Sequence, residues 1–221
     1  MAPEIAVRAT EPTLAVFARE PVAGTVKTRL AAALGPRRAV EAYRELLDAT
    51  LAYAIEARAR HVVGAIELWC TPEPDAPFFR ALAARIGATL HRQSDGDLGQ
   101  RMRTALADAL ARASGVLLIG TDCPTLGVAG LAAAAQILVT HDAVLGPAED
   151  GGFVLVGARI PVSFDCVRWS SPGTLQDTRE GFARSGVRWA ELPMSWDVDE
   201  PADLARWKTL GGRSVTEWTS R

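Results

Sequence analysis

Cysteine and histidine are scarce in this sequence, and neither residue type is clustered. The 221 residues include only Cys70, Cys123 and Cys166, together with three isolated histidines, and no two cysteines form a CxxC pair. An odd number of widely spaced cysteines is typical of reduced thiols and argues against both a disulfide framework and a zinc site.

The sequence also lacks long apolar runs and a strong excess of charge. No run of ~18 consecutive apolar residues occurs, so no membrane span is expected. The formal net charge of −2 is not typical of proteins that bind nucleic acid or anionic membranes. Charged residues break up the apolar ones before residue 13, which matches neither a signal peptide nor an anchor. We expect a cytoplasmic protein with no nucleic-acid and no membrane partner.

What the sequence does contain is a regular alternation of buried-strand and helical patterns. Strands are predicted at 13–18, 61–70, 88–93, 115–120, 142–148 and 187–193. A long helix is predicted from about 36 to 59. This alternation predicts one α/β domain at 13–210, with a mostly parallel sheet covered by helices on both faces. Residues 1–12 are expected to form a flexible arm and residues 211–221 a tail.

The run EDGGF at 149–153 predicts a break in the parallel pattern. Gly151 and Gly152 suit a tight reversal, so the strand that follows is expected to be antiparallel. In parallel sheets, ligands bind beyond the carboxyl ends of the strands. Asp122, Asp150 and the loop after the first strand are all expected at that edge.

The loop after the first strand, AREPVAGTVKTRL, is a candidate phosphate site. Arg19, Lys27 and Arg29 surround Gly24, and Lys27 is one of only two lysines among 24 basic residues. Backbone N–H groups, a helix start and fixed cations often hold phosphate in this way. The spacing is not that of a Walker A loop. A solvated loop charge is the alternative for Lys27, and either interpretation predicts that Lys27→Ala hardly changes thermal stability.

Three carboxylates predict a metal site at the same edge of the sheet. Asp122 follows a buried strand, and Asp197 and Asp199 lie two residues apart in SWDVDEPADL. Several carboxylates together form a hard oxygen site suited to Mg²⁺ or Mn²⁺. Each Asp could instead cap a helix, and Asp199 just before Pro201 is a strong candidate N-cap. Arg101, near a helix start at Asp97, could contact a nucleotide or face solvent.

The order of these motifs resembles a known superfamily. The loop after strand one, LGQRM, GTDCPTL, LGPAEDGGFVLVG and DVDEPADL resemble, from Leu14 to Leu210, the GT-A-type nucleotide-diphospho-sugar transferases. They are most similar to an uncharacterised bacterial glycosyltransferase-like branch related to 2-phospho-lactate guanylyltransferase and the molybdenum-cofactor nucleotidyltransferases. The resemblance implies the GT-A fold.

The resemblance also implies roles for individual residues. It implies that Lys27 and Arg29 lie by the nucleotide phosphates and that Asp122 binds a divalent metal whose ligand shell Asp197 and Asp199 complete. Lys27 and Asp122 are then the candidate catalytic residues. Arg19, Gly24 and Arg101 join the candidate nucleotide-binding residues. The acceptor side would be formed by Glu149, Asp150, Gly151 and Gly152.

Together these observations predict a transferase that depends on Mg²⁺ or Mn²⁺. Its donor would be a nucleotide sugar or a nucleoside triphosphate, and it would pass a glycosyl or nucleotidyl group to a small acceptor. The alternatives are a noncatalytic nucleotide-binding module that retains the same cleft and a structural protein whose Asp residues only cap helices.

Overall fold

The computed structural model describes residues 11–211, which form seven strands and seven helices. The strands are β1 (Thr13–Arg19), β2 (Ile66–Thr71), β3 (Thr89–Arg92), β4 (Val116–Ile119), β5 (Ala143–Pro147), β6 (Phe153–Ala158) and β7 (Trp189–Glu191). The helices are α1 (Thr28–Leu34), α2 (Pro36–Ala59), α3 (Pro77–Ile86), α4 (Leu98–Leu110), α5 (Gly127–Thr140), α6 (Thr174–Arg184) and α7 (Pro201–Thr209).

The strands form one mixed sheet in the order β3-β2-β1-β4-β6-β5-β7. β1 pairs in parallel with β2 and β4, and β3 pairs in parallel with β2. β6 runs antiparallel to both β4 and β5, and β7 is parallel to β5. The prediction of a mostly parallel sheet with an antiparallel strand after EDGG is therefore confirmed.

Helices cover both faces of this sheet because its central strands are apolar on both sides. Leu14 and Val16 of β1 belong to a core that includes residues of α2, α3 and α5. Ala15, between them, faces the opposite way into a core with residues of α4 and α6. The alternation within β1 thus anchors the centre of the sheet between two helical layers.

A smaller core joins the start of the chain to its end. Leu30 of α1 and Leu46 of α2 pack with Trp207 of α7 and with Trp196 and Val198 of the segment that precedes α7. This packing places the loop after β1 beside residues 196–199, although more than 160 residues separate them in the sequence. Because of this packing, the candidate phosphate site and the candidate metal site lie in the same region.

The structure differs from the predicted elements in two places. α1 was not predicted, because it has only seven residues and Gly35, with φ of 86°, separates it from α2. The second strand begins at Ile66 rather than at 61, since Val63 is fully buried by packing in the preceding turn and not by sheet pairing.

Residues 1–10 of the predicted N-terminal arm and 212–221 of the predicted tail lie outside the described residues. Within residues 11–211, none of the helices combines the length and the apolar character that crossing a membrane requires.

Candidate functional site

A cleft of about 580 Å³ opens at the carboxyl edge of the sheet. Its walls come from the loops after β1 and β4, the turn between β5 and β6, the start of α4, and residues 169–174 and 197–199. This is the edge at which ligands bind in open α/β sheets. The cleft therefore brings together most of the residues that the sequence singled out.

Asp122 lies in the loop after β4, with its side chain close to Gly120. A Cβ atom on Gly120 would lie 2.6 Å from Oδ1 of Asp122, so a side chain there would displace the carboxylate from this position. The Asp122 carbonyl oxygen accepts a hydrogen bond from the Val198 backbone N–H at 2.8 Å. That bond holds the loop after β4 against the segment that carries Asp197 and Asp199.

Asp122, Asp197 and Asp199 form a cluster in which each residue offers one carboxylate oxygen. These three oxygens all lie within 4.8 Å of one another. Asp197 and Asp199 are two residues apart, a spacing that lets both side chains project from the same side of an extended segment. The sequence-predicted metal residues are thus brought together.

The structure does not support Asp199 as the N-cap of α7. Glu200 occupies the N-cap position, and a reciprocal capping box pairs it with Asp203. The Asp199 carboxylate instead accepts hydrogen bonds from the side chains of Lys27 and Arg29. Glu200 therefore caps α7, and the adjacent Asp199 remains a candidate metal ligand.

Within residues 11–211, Asp197 is the carboxyl group whose pKa is most perturbed by its surroundings. Burial, followed by the charges of Asp122, Asp199 and Asp150, raises the pKa of Asp197 to about 7. Among the described residues no basic side chain pairs with it. A crowded group of carboxylates with this property favours a bound cation, because a cation would relieve both the burial penalty and the repulsion.

Lys27 lies inside this cluster and is not a solvated loop charge. It precedes α1 in a left-handed conformation with φ of 46°, and its side chain is only 7% exposed. Its Nζ lies 2.8 Å from Oδ1 of Asp199 and 3.2 Å from Oδ2 of Asp122. Burial alone would lower the pKa of Lys27, but these two carboxylates outweigh it and the pKa is raised.

Arginines extend the positive charge outward from Lys27. Arg29 is mostly exposed and contacts Asp199 at 3.3 Å. The Arg19 side chain donates to the Thr25 carbonyl oxygen, and Arg101 donates to that of Gly96. All three arginines line the cleft, whereas Gly24 does not.

Only two residues of the EDGG turn line the cleft. Asp150 and Gly152 line the cleft, and Oδ1 of Asp150 accepts the Gly152 backbone N–H at 2.8 Å. Glu149 turns away and forms a two-pronged ion pair with Arg206 of α7. Gly151 is part of the turn and does not line the cleft.

Several cleft residues were not assigned a role by sequence reasoning. Tyr43 donates to the Arg19 carbonyl oxygen and accepts the Arg19 N–H, both at 2.8 Å, and so holds the end of β1. The Gln93 side chain donates to the Trp69 carbonyl oxygen and reaches the cleft from the end of β3. Trp169 and Ser170 form part of the opposite wall. Only the placement of Gln93 at the end of a predicted strand could have indicated such a position.

Two comparisons identify what this chain resembles. A family model described as "Uncharacterized protein conserved in bacteria (DUF2064)" matches residues 51–171, which is more than half of the chain. A candidate nucleotide-diphospho-sugar transferase of solved structure from Desulfovibrio desulfuricans G20 is 30% identical, with a TM-score of 0.75. The similarity covers 86% of this chain and 83% of that one. The chain thus has the fold of the nucleotide-diphospho-sugar transferases.

More distant structures share the fold alone. Rv0371c from Mycobacterium tuberculosis H37Rv, solved as a complex with manganese, is 22% identical with a TM-score of 0.50, covering 89% of this chain and 97% of that one. CMP:2-keto-3-deoxy-manno-octonic acid synthetase, solved with CTP, is 12% identical with a TM-score of 0.55, covering 91% and 98%. No curated protein sequence matches the chain.

Proposed function

We propose, on the premise that this chain belongs to the family "Uncharacterized protein conserved in bacteria (DUF2064)", that it is a metal-dependent nucleotidyl- or glycosyltransferase. The donor is a nucleoside triphosphate or a nucleotide sugar, and the acceptor is a small molecule. The motif order also supports a place near the branch of 2-phospho-lactate guanylyltransferase and the molybdenum-cofactor nucleotidyltransferases.

One observation carries this proposal, namely the group of three carboxylates beside buried and exposed cations in a single cleft. Asp122, Asp197 and Asp199 offer only oxygen atoms, which suits Mg²⁺ or Mn²⁺. Lys27 and Arg29 lie directly against these carboxylates. A site with both signs of charge fits a metal-bound polyphosphate, because the metal needs carboxylates and the phosphates need cations.

The residues of the chain have separate tasks in this proposal. Lys27, Arg29, Arg19 and Arg101 hold the donor phosphates, and they stabilise the charge that develops on the leaving phosphate. When bound, the metal would supply Lewis-acid polarisation of the same phosphate oxygens. The manganese complex and the CTP complex among proteins of this fold support both assignments.

Asp150 and Gly152 lie where an acceptor would approach. Because Oδ1 of Asp150 is engaged by the Gly152 N–H, the second carboxylate oxygen remains for a hydroxyl group of the acceptor. Such a contact would orient the acceptor for in-line attack, and orientation is a major source of rate enhancement. Glu149 and Gly151 have no acceptor role in this proposal, since neither lines the cleft.

Calorimetry with a panel of nucleotides and nucleotide sugars, each with Mg²⁺ and with Mn²⁺, tests the proposal. We expect at least one donor to bind only when the metal is present. Asp122→Asn and Asp199→Asn should each abolish most of this metal-dependent affinity, because a neutral amide replaces a negatively charged ligand of the cation. Asp108→Asn, on the exposed face of α4, is the matched control and should bind as the wild type does.

The products then identify the reaction. Nucleotidyl transfer from a triphosphate releases pyrophosphate, whereas glycosyl transfer from a nucleotide sugar releases a nucleoside diphosphate. Donor binding without turnover of any acceptor would instead indicate a noncatalytic nucleotide-binding module. Failure of every nucleotide to bind with either metal would contradict the proposal altogether.

A further inference from the structure

The ammonium group of Lys27 occupies the position between two of the three candidate metal ligands. It contacts Oδ1 of Asp199 at 2.8 Å and Oδ2 of Asp122 at 3.2 Å. The Lys27 side chain is 7% exposed, whereas the two carboxylates are 36–38% exposed. The buried cation therefore lies on the inner side of the carboxylates.

A divalent cation that takes both of these carboxylates has to compete with the ammonium for them. Each carboxylate has a second oxygen, but a metal bound to it would still lie only a few ångströms from the ammonium group. At such a distance the repulsion between a single and a double positive charge is large even in a partly solvated site. Binding of the metal is therefore favoured when the ammonium moves away from Asp122, Asp199 or both.

A bound phosphate would offer Lys27 a second position. The lysine stem is long and flexible, so its ammonium can change partners without moving the backbone. The other charged side chains that line the cleft at the end of β1 and in the loop after it are cations, Arg19 and Arg29, and the third carboxylate of the cluster, Asp197, would itself be a ligand of the metal. A phosphate group placed among these cations would supply a partner outside the metal site.

We infer that Lys27 is an internal competitor of the metal, and that an incoming phosphate relieves the competition by taking over its ammonium group. The metal and the phosphate of the donor then bind cooperatively, and the site is selective for a metal–phosphate complex over the free metal ion. This inference rests on the proposed function for the identity of the metal ligands. It adds a coupling between the two halves of the site.

The test uses Mn²⁺ alone and the only other lysine of the chain as a control. Mn²⁺ affinity is measured by calorimetry for the wild type, Lys27→Met and Lys208→Met. Lys208 is exposed and pairs with Glu45 at the surface. We expect Lys27→Met to bind Mn²⁺ about tenfold more tightly or better, since removal of one nearby positive charge is worth at least this much. Lys208→Met should match the wild type.

A second measurement on the same proteins uses inorganic phosphate. The Mn²⁺ titrations are repeated at a fixed phosphate concentration and corrected with a protein-free titration for Mn²⁺–phosphate association. Phosphate should tighten Mn²⁺ binding severalfold in the wild type and in Lys208→Met, but not in Lys27→Met. Lys27→Arg, which retains the charge, should remain weak towards Mn²⁺ alone and keep the phosphate enhancement.

The outcomes separate this inference from the proposed function. Equal or weaker Mn²⁺ binding by a folded Lys27→Met would overturn the inference and leave the proposed donor binding to its own assays. If Lys27→Met does not fold, the wild type alone tests the inference. Mn²⁺ binding by the wild type that phosphate does not tighten would then overturn the inference. Absence of Mn²⁺ binding in all variants, with and without phosphate, would overturn the proposed metal site and the inference together.

Discussion

Lys27 links the candidate site to the stability of the protein. Its ammonium is buried between carboxylates that come from distant parts of the chain. Removing one partner of such a pair leaves the other charges without compensation. In the metal-free protein, Asp122, Asp197 and Asp199 would then repel one another.

We therefore expect Lys27→Met to lower the free energy of unfolding of the metal-free protein, contrary to the expectation from the sequence. The loss should be about 1–3 kcal/mol, less than for a fully buried pair, because both carboxylates remain partly solvated. Lys208→Met should lose ~1 kcal/mol or less, the usual range for a surface ion pair. Urea denaturation with a chelator present measures the free energy of unfolding of both variants. Equal losses would show that the buried ion pairs of Lys27 stabilise the protein no more than the surface ion pair of Lys208.

The turn between β5 and β6 requires glycine because a side chain at Gly151 would clash with the backbone of a neighbouring segment. Gly151 has φ of 85°, and a Cβ atom there would lie 2.2 Å from the carbonyl oxygen of Pro172. Gly24 has nearly the same φ, 84°, but a Cβ atom would meet nothing within 4 Å. The two positions share the backbone strain of an L-residue and differ only in the clash.

Gly24→Ala should accordingly cost about 1–2 kcal/mol, the penalty for an L-residue in the left-handed region. Gly151→Ala should cost a further ~1–3 kcal/mol, because the backbone of Pro172 has to move. Thermal or urea unfolding of the two variants provides the comparison. Similar losses would mean that residues 169–174 adjust freely to the turn.

An ion pair between Arg168 and Asp177 and the hydrogen bonds of Thr174 hold the segment that carries Trp169 into the cleft against α6. Asp177 accepts hydrogen bonds from the backbone N–H, Nε and Nη2 of Arg168 at 2.8–3.0 Å. The Arg168 side chain, together with its N–H, lowers the pKa of Asp177 to about 2. The pair should therefore hold this wall of the cleft at neutral pH.

The lowered pKa predicts how the stability of Asp177→Asn varies with pH. Because the folded pKa of Asp177 lies below its ordinary value of 3.8, its contribution is complete above about pH 4–5 and disappears as the pH falls towards 2. Asp177→Asn should thus be less stable than the wild type at pH 7, and the difference should shrink below pH 4. Urea midpoints across this range measure it. A constant difference would assign the effect to packing instead.

The accessibility of the three cysteine thiols to a labelling reagent shows whether the whole domain is folded. Cys70 lies in β2, between β1 and β3, and burial raises the pKa of its thiol to about 12. Cys123 is also buried, and burial raises its pKa, whereas Cys166 is exposed. A thiol with a raised pKa and no access to solvent is a poor nucleophile.

With iodoacetamide at neutral pH, we expect Cys166 to be labelled promptly and Cys70 and Cys123 only after the fold opens. Mass spectrometry of peptides from native and urea-treated protein distinguishes these sites. Labelling of Cys123 in the native protein at the rate of Cys166 would contradict its burial.

The order of strands and helices could be predicted from the sequence because it depends on local information. Buried-strand patterns, helical spacing and the glycine pair in EDGG each act within a few residues. They indicated the mostly parallel sheet, its antiparallel strand and the edge at which Asp122 and Asp150 lie. The same reasoning missed α1, whose seven residues are too few to show a period.

The pairing of side chains in the cleft was decided by tertiary packing alone. Lys27 meets Asp122 across 95 residues and Asp199 across 172, and no local pattern records such a contact. For the same reason Glu149 was assigned to the acceptor side, although α7 brings Arg206 to it. The sequence by itself determined which residue types reach the carboxyl edge of the sheet. Only the three-dimensional fold decided which charges neutralise one another there, since electrostatic partners depend on distance in space and not on separation along the chain.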